Sequence, residues 1–283
     1  TETAARTEAD LIIWPETSAP LVLTWRPELE RKVSQTVERL QTWVLVGTLD
    51  AIQRPGGVHE AYNAAILYNP DGMPVQRYYK THLVPFSEAM PFHDEAPWLG
   101  VLNFGQSDFS KGGDQELFRA AGWSFGCLIC FESIFPEIAR AQVRKGAHYL
   151  VNTTNDFWFG RSAGPRQHAE MAVLRAVENR TPLARCANTG ISFFVDPWGR
   201  VSQATPTFVP AEIRADLPPG RGGSLYTRLG DWIIAALWAI VLATGASAMA
   251  GRIAWRRATG SSAGIGRWRR SAAPAPGVSG ERT

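Results

Sequence analysis

The sequence predicts an α/β or α+β domain followed by one membrane-spanning helix. Three observations lead there. Short apolar runs of strand length alternate with helical stretches, and hairpin signals interrupt the alternation. The apolar content, 45% of 283 residues, is spread along most of the chain, enough for a sizeable core. Residues 232–251, WIIAALWAIVLATGASAMAG, then carry no charged side chain. About 20 uncharged residues at roughly 1.5 Å each match the span of a bilayer core.

Residues 10–14 read as a short buried strand that ends at Pro15. Residues 27–41 are polar and periodic, a surface helix, and 43–49 form an apolar strand. Residues 61–69 and 74–80 are two strands joined by Asn69-Pro-Asp-Gly72, a hairpin signal. Residues 81–115 are rich in Pro, Gly and Phe with little periodicity, a long loop of the kind that is usually functional or mobile. Its Phe86, Phe92, Trp98, Leu99 and Phe104 suit either contact with an apolar ligand or ordinary packing. Residues 116–121 and 123–130 are again paired strands, followed by a helix over 131–144. A strand at 148–152, a helix at 163–179, and strands at 183–187 and 191–195 complete the domain, with Asp196-Pro-Trp-Gly199 turning into Val201.

Charge separates the end of the chain from the rest. Residues 252–283 hold seven Arg and one Glu, a formal +6, against +3 for the whole chain, so residues 1–251 carry about −3. By the positive-inside rule the basic end is cytoplasmic and the preceding domain lies on the other side of the membrane. The expected division is a catalytic domain over 1–222, a linker and transmembrane helix over 223–251, and a disordered basic tail over 252–283, rich in Ala, Gly, Pro and Ser. Nucleic-acid binding is not expected from the tail's RWRR, which follows a membrane segment and lacks a folded context.

The chemistry centres on Cys130. It ends an apolar strand and precedes a helical stretch, so a thiol there is expected to be exposed, near the positive end of a helix, and lowered in pKa. Glu16, at the end of the first strand, is a carboxylate able to take a thiol proton. Lys80, at the end of another strand, is a cation able to hold an oxyanion. The amide of Phe131 is a second oxyanion donor. Cys127 lies three strand steps from Cys130, roughly 10 Å at about 3.3 Å each, too far for a disulfide. It and Cys186 read as small apolar residues. The five histidines show no paired ligand spacing, and no metal or cofactor is expected.

Six segments in register carry a resemblance over positions 9–251: IIWPETSAP, YYKTHLVPFSEAMPF, LICFESIFPE, NTTNDFWFG, LARCANTGISFFVDPWGRV and SLYTRLGDW. Glu, Lys and Cys in that order resemble the nitrilase, or carbon–nitrogen hydrolase, superfamily. The wording of the segments resembles its bacterial apolipoprotein N-acyltransferases. The resemblance implies a four-layer α-β-β-α sandwich. It makes Glu16 general base and acid, Lys80 the stabiliser of the tetrahedral intermediate and Cys130 the nucleophile. Glu88 matches a second essential glutamate, and Glu132 one that supports the site. Asn63, Asn155, Asp156, Trp158 and Phe159 are possible pocket residues, although core packing explains several of them equally well.

The implied reaction is ping-pong acyl transfer from a phospholipid, through a Cys130 thioester, to the amine of an S-diacylglyceryl-cysteine apolipoprotein. The implied location is the bacterial inner membrane, with the catalytic domain facing the periplasm. The family's membrane-helix bundle and opening strand are not seen before Thr1, so the expectation is the C-terminal part of a longer polytopic enzyme. The alternatives are a membrane-tethered nitrilase-type amidohydrolase and a catalytically inactive fragment or binding module.

Overall fold

A computed structural model describes residues 9–57, 59–89, 109–114, 116–220 and 222–260. Residues up to 230 form one compact unit and those from 231 a second. The first unit is built on two sheets. In one, β1 (Leu11–Ile13) and β2 (Ala19–Val22) pair parallel along the same edge of β3 (Trp43–Gln53). Strand β3 then pairs antiparallel with β4 (His59–Tyr68), and β4 with β5 (Pro74–Tyr79). The second sheet runs from β6 (Phe118–Ala120) through β7 (Trp123–Ile129), β8 (Tyr149–Asn155), β9 (Leu183–Asn188) and β10 (Phe193–Val195) to β11 (Val201–Ser202). Its central strands β7, β8 and β9 are parallel.

The period-2 alternation of these strands dictates the layers. Leu45, Leu67 and Tyr78 of the first sheet meet Phe125, Ile129 and Val151 of the second in a buried inter-sheet core. The alternate residues Val44, Val46, Ile66 and Tyr68 face outward, onto Val33, Val37 and Leu40 of α1 (Pro27–Leu40). On the far face, Leu128, Leu150 and Leu183 pack on α2 (Pro136–Arg144) and α3 (Gly164–Asn179) through Ala139, Val143, Ala172 and Ala176. The result is the expected four-layer α-β-β-α sandwich, closed by the short helix α4 (Leu225–Leu229).

Four local expectations change. The helix foreseen over 131–144 is two elements, a 3-10 turn Cys130–Ile134 and α2. Pro136 forces the preceding Phe135 into extended backbone and restarts the helix at its own position. Strand β3 runs four residues past 49, and β2 and a 3-10 turn (Leu23–Trp25) were not foreseen. Helix α5 (Trp232–Gly260) continues through the first nine residues assigned to the disordered tail. There Arg257 lies in the last turn of the helix, where a cation complements the dipole. Among the described residues α5 is the one helix long and apolar enough to cross a membrane. Phe92, Trp98, Leu99 and Phe104 and residues 261–283 lie outside the described residues.

Leu67 is fully buried between the sheets. Leu67→Ala is therefore expected to cost about 2–5 kcal/mol, and Leu67→Met under about 1.5 kcal/mol. Thermal unfolding of the two variants in detergent checks the difference.

Candidate active site

The site forms where strands of both sheets end. Glu16 lies just beyond β1, Lys80 follows β5, Cys130 follows β7 and Asn155 closes β8. Glu16 sits in the break between β1 and β2, as the chain crosses over Gly47 of β3. A Cβ on Gly47 would come within 2.2 Å of Pro15 O and 2.7 Å of Glu16 Cα. The missing side chain thus lets the Pro15–Glu16 backbone lie directly on the strand. Ser18 Oγ donates to Gly47 O at 3.0 Å, and Thr17 adopts a φ of 50° to turn the chain back.

The Glu16 carboxylate is buried and spoken for on both oxygens. Oε1 accepts from Asn63 Nδ2 at 2.7 Å, and Oε2 from the Asn155 amide at 2.7 Å. Lys80 is 1% exposed. Its Nζ lies 2.7 Å from Glu88 Oε1 and 3.5 Å from Glu16 Oε1. Asn63 Nδ2 also donates to Glu88 Oε1 at 3.1 Å, and the Val84 amide holds Glu88 Oε2 at 2.8 Å. Burial works to lower the Lys80 pKa, but Glu16, Cys130 and Glu88 outweigh it, and the ammonium is raised above its ordinary value. It stays charged throughout the physiological range.

Cys130 does not behave as its place in the sequence suggested. The turn it heads is a single 3-10 element of five residues, and the thiol is only partly exposed. Burial first, then the Glu16 carboxylate, push its pKa up to about 12, while Lys80 and the Thr154 hydroxyl pull the other way. Cys130 rests as a neutral thiol, and any reaction as a nucleophile would require it to give up its proton.

Glu132 is fully buried and binds the two halves of the site together. It accepts from the Ile129 amide (2.7 Å), the Thr81 amide and hydroxyl (2.6 Å each), the His82 amide (3.2 Å) and the Tyr78 hydroxyl (3.0 Å). Burial raises its pKa, and the Thr81 and Ile129 hydrogen bonds oppose the rise. Phe131 packs edge-on against Phe135 at 5.1 Å.

The remaining candidates divide. Asn63 and Asn155 join the cluster by holding Glu16. Asp156 does not line a pocket: it is fully buried, paired with Arg185 Nη2 at 2.9 Å and with His168 Nδ1 at 2.9 Å. Its pKa is lowered, because the His168 and Arg185 partners overcome the opposing effect of burial. Trp158 and Phe159 are not core residues either; they are 82% and 43% exposed. A cavity of about 520 Å³ opens elsewhere, between β1 and residues 211–217, and Glu16, Lys80 and Cys130 do not line it.

Sequence reasoning passed over Gly47, Tyr78, Thr81, His168 and Arg185. A glycine inside an apolar strand is a signal of close backbone approach and could have found Gly47. An arginine inside the strand Leu183–Asn188 could have flagged a buried partner. Nothing local distinguishes Thr81 or His168 from surface residues.

A carbon-nitrogen hydrolase family profile matches residues 1–225. The chain belongs to the carbon-nitrogen hydrolase family. Within that family it is 41% identical over 238 residues to an apolipoprotein N-acyltransferase of Geobacter metallireducens, covering 83% of this chain and 46% of that one. It is 37% identical over 247 residues to an apolipoprotein N-acyltransferase of Chlorobaculum tepidum, covering 79% and 46%. The chain spans about half the length of these curated relatives. The family's fold is seen in a carbon-nitrogen hydrolase crystal structure from Helicobacter pylori. It superposes with a TM-score of 0.56 at 16% identity, over 72% of this chain and 76% of that one.

Alkylation by iodoacetamide reads the thiolate fraction of Cys130. With a pKa pushed up to about 12, the wild-type rate is expected to climb through the accessible alkaline range without levelling. At one fixed alkaline pH, Glu16→Gln, which removes a negative neighbour, should be alkylated faster than wild type, and Lys80→Met, which removes a positive one, more slowly. The rate against pH, followed at Cys130 by mass spectrometry, checks both signs.

Proposed function

We propose that this chain carries the catalytic site of an acyltransferase that takes a fatty acyl chain from a phospholipid. The acyl chain passes through a thioester on Cys130 to the N-terminal amine of an S-diacylglyceryl-cysteine apolipoprotein. The observation that carries the reading is the buried meeting of Glu16, Lys80 and Cys130: Lys80 Nζ lies 3.5 Å from Glu16 Oε1, and the Glu16 carboxylate raises the proton affinity of both Lys80 and Cys130. The names of the relatives supply the substrate class.

In the first half-reaction Glu16 accepts the Sγ proton as sulfur attacks the ester carbonyl carbon. The π pair moves onto oxygen, and the Lys80 ammonium and the Phe131 amide stabilise the oxyanion. Collapse of the intermediate breaks the ester C–O bond, and the departing lysophospholipid oxygen takes the proton from Glu16. In the second half the acceptor amine attacks the thioester, Glu16 receives its proton, and the same proton returns to sulfur as the amide forms. Glu88 and Asn63 keep Lys80 and Glu16 in place throughout.

The test uses the full-length protein in detergent and a phospholipid with a labelled sn-1 chain. Cys130 is expected to carry the label, labile to hydroxylamine and absent from Cys130→Ala. Glu16→Gln should slow its appearance by about 10²–10⁴, the contribution of a general base. Label on Cys127 or Cys186, or wild-type acylation in Glu16→Gln, would overturn the assignment.

In this reading the protein sits in the bacterial inner membrane through α5, with the catalytic unit at the periplasmic face and the Arg-rich end in the cytoplasm. The lack of charge over 232–251 and the Arg excess after it support that orientation. A reporter active only in the periplasm is expected to work when fused at Gly222 and to fail when fused after Arg257. The reverse pattern would sink the orientation.

A further inference from the structure

Behind the nucleophile lies a buried polar chain that the mechanism above leaves unused. Ser133, Asn152, Asp156, His168 and Arg185 are each no more than 5% exposed. Two of them, Ser133 and His168, reach the carbonyl oxygen of Cys130. Ser133 Oγ donates to it at 2.9 Å, and His168 Nε2 lies 3.1 Å from it. A carbonyl only accepts, and so does the Asp156 carboxylate at Nδ1, so Nε2 donates to Cys130 when the ring carries a hydrogen on each nitrogen; Nε2 also lies 3.0 Å from Ser133 Oγ. The ring is held from the other side, where Nδ1 lies 2.9 Å from Asp156 Oδ1. Asp156 is fixed in turn by Arg185 Nη2 at 2.9 Å and by Thr154 Oγ1 at 3.1 Å. Arg185 is anchored by donating to Asn152 Oδ1. A Cβ on Gly190 would come within 2.0 Å of Asp156 Oδ2, so that glycine leaves the carboxylate its space.

The object being held is strained. Cys130 has a φ of 49°, a region that non-glycine residues keep only where their surroundings impose it. Among the described residues no peptide bond is cis. In a planar trans peptide the C=O and N–H point in opposite directions. The Cys130 carbonyl and the Phe131 N–H belong to one such plane. Drawing the oxygen toward Ser133 and His168 therefore turns the Phe131 N–H the opposite way.

We infer that His168, backed by Asp156 and Arg185, is a positioning residue that aims the Phe131 amide at the oxyanion formed on acylation of Cys130. The inference rests on the thioester chemistry proposed above but not on the identity of the acyl donor. His168 touches no reacting atom; it acts through the peptide plane of the nucleophile.

The test compares two reactions of Cys130 in the full-length protein. Acylation by a soluble p-nitrophenyl ester passes through an oxyanion; alkylation by iodoacetamide does not. His168→Ala is expected to lower kcat for the ester at least about tenfold with KM unchanged. A full oxyanion donor is worth about 10²–10³, and its stabilisation exists only in the transition state. Alkylation should stay within about twofold of wild type at the same pH. His168→Gln, whose amide can still donate to the carbonyl, should recover most of the ester rate. Unchanged acylation in His168→Ala, or an equal fall in both reactions, would overturn the inference. If His168→Ala does not fold, Ser133→Ala removes the other donor to the same oxygen and is judged by the same two outcomes. Wild-type acylation by the ester but not by phospholipid would sink the proposed donor alone. A wild type that is alkylated but never acylated would sink the thioester and this role for the amide together.

Discussion

An ammonium taken out of water costs several kcal/mol unless it is paired and hydrogen-bonded, and Lys80 is 1% exposed. Much of the site follows from keeping that one charge. Two carboxylates flank it, Glu88 at 2.7 Å and Glu16 at 3.5 Å, and both would repel each other without the lysine between them. Asn63 donates to both carboxylates and so fixes their spacing. Gly47 opens the space for Glu16 to approach. The balance matters chemically. Glu88 is the nearer partner of the ammonium, and the Glu16 carboxylate, together with burial, keeps the Cys130 thiol protonated.

The second constraint is the joint between the sheets. Lys80 comes from one sheet and Cys130 from the other, and hydrophobic contact between sheet faces does not set register to the accuracy that proton transfer needs. Glu132 supplies that register. It takes the amides on either side of the site, Thr81 next to Lys80 and Ile129 next to Cys130, into one carboxylate. A buried carboxylate with five donors tolerates little displacement, because each lost bond leaves a buried polar group unpaired.

The sequence made some parts of this arrangement legible and hid others. The strands were readable because burial on both faces leaves continuous apolar runs, as in β7, and the hairpin at Asn69–Gly72 carries its own turn chemistry. Glu16, Lys80 and Cys130 stood out as reactive side chains at strand ends, and the motif wording ordered them. The pKa of Cys130 was misjudged because helix proximity is visible in sequence, whereas burial and the approach of Glu16 from 114 positions away are not. Asp156 stood undivided between pocket and core for the same reason: its partners Arg185 and His168 lie 29 and 12 positions on.

What the sequence determined by itself is local: element types, the uncharged segment that becomes α5, the charge bias beyond it, and which residues have the chemistry to act. Periodicity, turn residues and charge counts are properties of neighbours along the chain. Only the tertiary structure decided which of those residues meet, which carboxylate lies against the ammonium at 2.7 Å and which at 3.5 Å, and why the thiol rests protonated. Those outcomes depend on desolvation and on distances of about 3 Å between strands of different sheets. Such distances arise only after both sheets have packed.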